Sequence, residues 1–223
     1  MAEIIIDYDL NRFNFPKLVS SIFKVKDLTK LHEHLKDDYI APDGVAGLSN
    51  DTHSKFHNIF YKKLNSGWEE FNDMYTSFVK EVINPLLPNE KELIYQSSPS
   101  FRIQYPKGKA VTTLHYDHDK NHKHPVGELN IFVPISPATT FNTMHIESLP
   151  GLGDFHPVVM DPGKCMVWNG NMCRHYNKVN ISGETRVSFD FRILPSVFYD
   201  ENYQQTTATK KMRFIVGEYY SKL

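Results

Sequence analysis

The sequence predicts an α+β protein with a mainly β core, in which an N-terminal helical layer supports a jelly-roll body. Three observations lead to this fold class. Apolar residues recur at helical spacing through much of residues 1–90. Over residues 91–223, short runs rich in β-branched and aromatic residues alternate with Pro, Gly, Asn or Asp, as in an antiparallel sandwich or barrel. The aromatic share of the chain is 13%, and aromatic side chains suit the cores of sheets.

Local signals place the N-terminal elements. Pro16 suits the first turn of a helix, where its missing N–H leaves no hydrogen bond unmade. Asp27 is a candidate N-cap for a second helix, and Pro85 is expected to end the last helical run. In chain order, we predict a short strand within 2–10, helices over 16–25 and 27–38, and two helices within 51–88 that separate near Ser66 and Gly67.

The rest of the chain is predicted to form strands bounded by turn-forming residues, with one polar loop at 202–211. At 223 residues the chain is expected to be a single domain, 1–223, in which 1–90 support a core formed by 91–223. The predicted strands are 92–96, 100–106, 111–117, 128–135, 143–148, 155–161, 164–170, 185–194 and 210–220.

Composition narrows the classes of partner. The formal net charge is −1, so the chain lacks the basic surface that nucleic acid requires. No apolar run approaches the ~20 residues of a membrane-spanning helix. We therefore expect a small-molecule substrate, and neither nucleic acid nor membrane, as the partner. The sequence does not fix the oligomeric state.

Two features bear on location. The acidic start "AEIIIDYDL" does not fit a signal peptide, and two cysteines fit buried, reduced thiols, so a cytoplasmic location is expected. The last three residues, Ser221, Lys222 and Leu223, match a peroxisomal address. That address is read only in a eukaryotic cell and only from a free tail, so a peroxisomal location is expected only for a eukaryotic source.

The stretch "TLHYDHDKNHKHPVGELN" at 113–130 contains the first candidate metal ligands. Residues two apart in a strand point to one face, so the predicted strand would project His115 and Asp117 together. His175, 175 − 117 = 58 residues further on, is the best third candidate. Two histidines and one carboxylate, with the other positions open, are the ligand set of non-haem Fe(II) oxygenases. The open positions allow a cosubstrate and O₂ to bind the same iron.

The predicted strand at 185–194 has an apolar face and a wholly polar face. Arg186 offers a planar fork that can bind a carboxylate through two hydrogen bonds, and Ser188 lies beside it. Asp190 and Arg192 continue the same face. The alternative is an outer strand with one face in water. If the polar face instead lines a cavity, the metal ligands and Arg186 describe a site for a 2-oxo acid.

The order His115-x-Asp117, His175 and Arg186-x-Ser188 resembles that of the Fe(II)/2-oxoglutarate-dependent dioxygenases. The wider runs "PSFRIQYP", "HYDHDKNHKHPVGELNIFVPISPATTFNTMHIES" and "HYNKVNISGETRVSFDFRILP" resemble the streptomycin-biosynthesis StrG-like branch of that superfamily. The resemblance spans roughly residues 99–195. It implies a double-stranded β-helix, Fe(II), 2-oxoglutarate and O₂, with these three ligands and with Arg186, assisted by Ser188, as the cosubstrate clamp.

The resemblance also bears on the reaction. Halogenases of the superfamily replace the acidic ligand with a small residue, whereas this chain has Asp117. Hydroxylation of a small polar metabolite, such as an amino acid or a natural-product intermediate, with release of succinate and CO₂, is therefore expected. The other residues predicted to face the cavity are Asn130 as a cofactor-binding residue, and Arg102, Gln104, Glu128, Asp190, Arg192 and Trp168 as candidate substrate residues.

Two other functions stay open at this point. A cupin-type metalloenzyme, an isomerase or thiol dioxygenase, would use His122, His124 and Glu128 with His175. The cupin pattern expects Gly where this chain has Ile135. A non-catalytic jelly-roll module could instead bind a sugar or peptide on the polar face. The histidines outside the triad, His118, His122 and His124, are predicted to lie in a loop at the mouth of the site.

Overall fold

The computed structural model describes residues 3–35, 54–90, 92–108, 113–208 and 210–223. Its α-helices are α1 (Phe15–Phe23), α2 (Lys55–Asn65) and α3 (Glu69–Phe78). Short helical turns cover Leu28–His34, Val79–Ile83, Asn84–Leu86 and Ser196–Phe198. The strands are β1 (Ile4–Asp7), β2 (Leu93–Gln96), β3 (Ser100–Gln104), β4 (Leu129–Pro134), β5 (Met144–Ile146), β6 (His156–Pro157), β7 (Lys164–Trp168), β8 (His175–Asn177), β9 (Arg186–Pro195) and β10 (Tyr220–Lys222).

The described residues form mainly antiparallel sheets with some helices, as the sequence predicts. One sheet has seven strands in the order β1-β7-β4-β9-β2-β10, and β3 pairs with β9 next to β2. The other sheet has three strands in the order β6-β5-β8. Strand β9 is the longest, with 10 residues, and pairs with β4 on one side and with β3 and then β2 on the other.

The helical signals are mostly confirmed. Asp27 accepts a hydrogen bond from Thr29 N at 2.9 Å, but residues 28–34 form a 3₁₀ helix rather than the predicted α-helix. The last residues of that prediction, 36–38, lie outside the described residues. The helical run is interrupted between α2 and α3, as predicted, and Gly67 in this turn has a φ of +82°. Pro85 lies within the final 3₁₀ turn instead of ending the run before it.

Three predicted strands differ from the structure. Of 111–117, residues 111–112 lie outside the description, and the rest is a loop in which His115 makes an isolated bridge. The strand predicted over 155–161 shortens to His156–Pro157. Of the strand predicted over 210–220, only Tyr220, the first residue of β10, lies in a β-strand. In the first case, His115 N bonds to His175 O at the start of β8, whereas Asp117 N and His118 N bond to Gly170 O and Asn171 O in the loop before that strand.

The two faces of β9 meet different surroundings. Phe189 and Phe191 are fully buried and pack beneath the helices, where the ring of Phe189 lies 4.9 Å from that of Phe15. Beside them, the ring of Phe60 on α2 stacks at 4.0 Å on Phe101 of β3. The helical layer therefore covers the apolar face of the larger sheet, and the polar face of β9 is directed to the opposite side.

The C-terminal tripeptide is part of the larger sheet. Ser221 and Lys222 belong to β10 and pair with β2, and Leu223 N donates to Leu93 O at 3.0 Å. The tail is thus not free in this structure, although a peroxisomal address requires a free tail. Both cysteines, Cys165 and Cys173, are buried free thiols. No helix of the described part of the chain has the length and apolarity needed to cross a membrane.

Replacing Phe189 with Ala tests the packing of β9 under the helices. The fully buried ring leaves a cavity, so we expect the free energy of unfolding to fall by about 3–5 kcal/mol. Urea denaturation followed by circular dichroism measures this change. The control Phe141→Ala removes a ring that is 56% exposed and should change it by less than about 0.5 kcal/mol. Equal effects of the two changes would contradict this account of the core.

Candidate metal centre

Two segments that are distant in sequence form the centre by pairing their backbones. His115 and His175 exchange two hydrogen bonds, with N···O distances of 3.1 and 2.8 Å. Asp117 N donates to Gly170 O at 3.0 Å. This pairing, and not alternation along a regular strand, brings the three predicted ligands together.

Each of the three side chains directs one donor atom to a common point. Asp117 Oδ1 lies 3.6 Å from His115 Nε2 and 3.7 Å from His175 Nε2. Nδ1 of His115 bonds to Thr113 O at 2.9 Å, and Nδ1 of His175 bonds to Cys173 O at 3.1 Å. Because a carbonyl only accepts, each Nδ1 carries the hydrogen and each Nε2 keeps its lone pair for a metal. Among the described residues, this group of three fits a metal ion, with donor atoms within 4.8 Å of one another.

The second oxygen of Asp117 is held by the larger sheet. Asn130 Nδ2 donates to Oδ2 at 2.8 Å. Arg192 donates to the same oxygen from Nη2 at 2.8 Å and from Nε at 3.1 Å. Asn130 and Arg192 are register partners on β4 and β9. The carboxylate is therefore fixed from one side and directs Oδ1 to the histidines.

The electrostatics of the centre favour the metal-binding protonation states of Asp117 and His175, but not that of His115. Burial raises the pKa of Asp117, but the Arg192 charge and the nearby His115 lower it well below its usual range. Burial lowers the pKa of His175 to about 4. For His115, burial lowers the pKa, but the Asp117 carboxylate outweighs this and raises it above its usual value. Asp117 is thus charged and His175 neutral at neutral pH.

Trp168 and Gly170 shape the wall beside His175. The Trp168 ring meets the His175 ring edge-on at 4.7 Å. A Cβ on Gly170 would lie 2.6 Å from both the Asn130 side chain and the Trp168 ring, so only glycine fits this approach. Trp168, a predicted substrate residue, therefore packs against a ligand.

Sequence reasoning missed Glu147, which holds the second ligand segment. Its side chain is fully buried and accepts hydrogen bonds from Arg174 N at 2.6 Å and from the Arg174 guanidinium at 2.9–3.2 Å. It also accepts from Gly151 N and Gly153 N. Arg174 directly precedes His175, so Glu147 fixes the backbone that carries this candidate ligand. The sequence signal that could have indicated this contact is Arg174, a charged residue directly before the candidate ligand His175.

The predicted clamp residues lie together on β9. Arg186 is 2% exposed, and its guanidinium donates to Ser188 Oγ at 2.6 Å and to Gln104 Oε1 at 3.4 Å. Gln104 also donates to Lys178 O at 2.5 Å, three residues after His175. The structure therefore brings Arg186, Ser188 and Gln104 into one buried cluster next to the segment that follows the ligand.

The predicted substrate residues of the same face form an alternating series of charges. Arg102 Nε donates to Asp190 Oδ1 at 3.0 Å. Arg192 donates to Asp190 Oδ2 and, as described, to Asp117. Arg192 thus contacts a candidate metal ligand.

Glu128 is placed differently from Asn130. It is fully buried, and its carboxylate contacts His124 Nδ1 at 2.7 Å and the Tyr220 hydroxyl. Its oxygens therefore bind the loop and the C-terminal strand, whereas Asn130 contacts Asp117.

The three remaining histidines of the loop have distinct surroundings. His118 Nδ1 bonds to His124 O at 2.7 Å. His122 Nδ1 lies 2.9 Å from Asp119 Oδ1, and its ring lies 4.4 Å from that of His115. Within the described residues, the donor atoms of the cupin set, His122, His124, Glu128 and His175, are not grouped closely enough to form a candidate metal site.

Comparison with known proteins gives one curated relative. No family model matches the chain. Over 214 residues it is 29% identical to the streptomycin biosynthesis protein StrG of Streptomyces griseus, covering 96% of this chain and 94% of that protein. The chain is therefore similar to StrG along nearly its whole length.

Solved structures with partial likeness to this chain include the following three. "CytC3 with Fe(II) and alpha-ketoglutarate" has a TM-score of 0.48 and 14% identity, covering 90% of this chain and 77% of its own. AviO1 of Streptomyces viridochromogenes has a TM-score of 0.47 and 13% identity, covering 89% and 92%. The non-haem monooxygenase ThoJ in complex with Ni has a TM-score of 0.46 and 12% identity, covering 91% and 78%.

The change His175→Ala should weaken metal binding. Mutating a residue that only hydrogen-bonds to a metal ligand typically lowers metal affinity by about 10- to 100-fold. Because His175 is itself a proposed ligand, we expect a larger fall in the affinity for Co(II), measured by anaerobic titration. The control His34→Ala removes an exposed imidazole and should leave the affinity unchanged. An unchanged affinity in the His175 variant would remove it from the centre.

The change Glu147→Gln should reduce stability in a pH-dependent way. Burial raises the pKa of Glu147, but its hydrogen bonds to Arg174 and nearby N–H groups lower it to about 2. A depressed folded-state pKa stabilises the fold above the usual value of 4.5, and this stabilisation is lost as the pH falls from there toward 2. We expect a loss of about 3 kcal/mol at pH 7 that shrinks below pH ~4.

Denaturation midpoints of the wild type and the Glu147 variant between pH 3 and pH 7 measure this difference. The control Glu184→Gln alters an exposed carboxylate and should follow the wild type at every pH. A gap between wild type and variant that stays constant with pH would disprove the electrostatic role of Glu147.

Proposed function

We propose that this chain is an Fe(II)/2-oxoglutarate-dependent dioxygenase that hydroxylates a small polar metabolite and releases succinate and CO₂. The observation that carries the proposal is the convergence of His115, Asp117 and His175 on one point. Two imidazoles and one carboxylate that leave other positions open are the donor set of this enzyme class. With it we propose a double-stranded β-helix and a single domain over 1–223.

The donor set fits iron on the evidence of its hydrogen bonds. Both imidazoles are held as the tautomer that exposes Nε2, and Asp117 is held as a carboxylate that exposes Oδ1. Bound Fe(II), with 2-oxoglutarate and O₂ as cosubstrates, supplies the oxidising power that inserts oxygen into a C–H bond. The chain contributes the positions of the ligands and a buried environment that limits side reactions.

Arg186 is the proposed partner of the distal carboxylate of 2-oxoglutarate. Its guanidinium is buried, and a hydrogen-bonded ion pair is stronger in such surroundings than in water. Ser188 and Gln104 contact the guanidinium and fix its orientation. Arg186 lies 11 residues after His175 (186 − 175 = 11), which leaves room for one turn of the chain between them.

The proposed substrate is polar because the face of β9 and β3 beside the centre is polar. Arg102 and Asp190 lie on this face with intermediate exposure, so their charges can meet a ligand as well as each other. The similarity to a streptomycin biosynthesis protein supports an intermediate of natural-product biosynthesis or an amino acid. A non-catalytic module that binds a sugar or peptide on this face is the competing function, and it predicts no dependence on metal.

Anaerobic addition of Fe(II) and 2-oxoglutarate tests the proposal. The wild type should develop a weak visible charge-transfer band and, with O₂, form succinate. Asp117→Ala should lose both because a ligand is missing. Undiminished succinate formation by this variant would exclude the ligand assignment.

Arg186→Ala separates the clamp from the metal. We expect this change to raise the 2-oxoglutarate concentration that gives half of the maximal charge-transfer intensity by at least about 30-fold, because a buried ion pair is lost. Its Co(II) affinity should stay close to that of the wild type. The control Arg213→Ala removes an exposed guanidinium paired with Glu218 and should change neither property. Identical 2-oxoglutarate dependence in all three proteins would reject Arg186 as the clamp.

A further inference from the structure

We propose that Arg192 is a positioning residue that keeps Asp117 a one-oxygen ligand and so preserves an open coordination position on the metal. This role deepens the proposed function. It rests on that function only for the identity of the molecules, 2-oxoglutarate and O₂, that would occupy the open positions. The ligand geometry itself is a property of the residues described above.

The two oxygens of Asp117 have opposite surroundings. Oδ1 faces His115 Nε2 and His175 Nε2 at 3.6 and 3.7 Å. Oδ2 accepts three hydrogen bonds, one from Asn130 and two from Arg192. A carboxylate oxygen offers about two lone-pair directions, so these donors occupy Oδ2 fully. Only Oδ1 remains for a metal ion.

Arg192 is itself held in place. Its side chain is 9% exposed, and Nη1 donates to Asp190, whose other oxygen accepts from Arg102 at 3.0 Å. Arg192 therefore lies between two carboxylates on the rigid centre of the larger sheet. The loop supplies Asp117, while the sheet determines which of its oxygens is turned away from the histidines.

The number of oxygens that Asp117 contributes decides how many positions stay open. An octahedral ion with three protein donor atoms keeps three positions, which suffice for a chelating 2-oxo acid and O₂ together. If Asp117 bound through both oxygens, one of these positions would be lost and the two cosubstrates would compete. By saturating Oδ2, Arg192 together with Asn130 prevents this.

Mn(II) is a suitable probe because its bound waters can be counted by electron paramagnetic resonance in ¹⁷O-enriched water. The Mn(II)-loaded wild type should hold three waters. Arg192→Met should hold two, because Oδ2 is released to the metal, and its Mn(II) affinity should change by about 10- to 100-fold. A fold that is intact but merely loosened would not alter the water count in this way.

The single change leaves Asp190 without its Arg192 partner, so the double change Asp190→Asn with Arg192→Met provides a second variant with balanced charge. It should also hold two waters. Arg213→Met removes an exposed guanidinium elsewhere and should hold three. Three waters in a folded double variant would overturn the proposal, as would two waters in the wild type.

Adding 2-oxoglutarate to the Mn(II)-loaded wild type separates this inference from the proposed function. Displacement of two waters is expected for a chelating 2-oxo acid. Retention of all three waters would contradict the proposed function, whereas the effect of Arg192 on the water count without 2-oxoglutarate would still stand.

Discussion

Strand β9 has to satisfy two opposite environments along its 10 residues, and the arrangement around it follows from that requirement. Phe189 and Phe191 on one face are fully buried beneath the helical layer. Arg186 and Arg192 on the other face are buried too. Burying aromatic rings is favourable, whereas burying a guanidinium costs free energy unless it is paired. The helices thus cover the apolar side of the strand, while Asp117 and Asp190 compensate the charge of Arg192 on the other side.

The charged side of β9 is held by contacts among its own residues, Arg102 of β3 and Asp117. Arg102, Asp190, Arg192 and Asp117 alternate in sign and contact one another in that sequence. Each charge is compensated by its neighbours, so the low-dielectric interior does not leave one of them isolated. An arrangement fixed in this way would require little reorganisation on binding the proposed metal and cosubstrate.

Local patterns in the sequence were sufficient to predict the two faces of β9 and the residues of the candidate metal group. Alternation indicated the two faces of β9, and spacing selected the three residues that the structure brings together as a candidate metal group. The reason given for His115 and Asp117 was wrong, because a contact between separate segments aligns them. Glu147 and Arg192 act on the ligand segments across 27 and 75 residues of sequence, and such contacts leave no local periodicity to detect.

The order of these elements along the chain has a consequence for synthesis on the ribosome. The last α-helix of the helical layer ends at Phe78, whereas β9, which packs on the aromatic face of this layer, begins at Arg186. At typical translation rates these 186 − 78 = 108 residues require roughly 5–20 s. During that interval the rings that later pack on β9 lack that strand as a neighbour, although earlier strands such as β3 have already been made. We therefore expect the nascent chain to expose part of this aromatic surface until β9 is made, a state of the kind that chaperones bind.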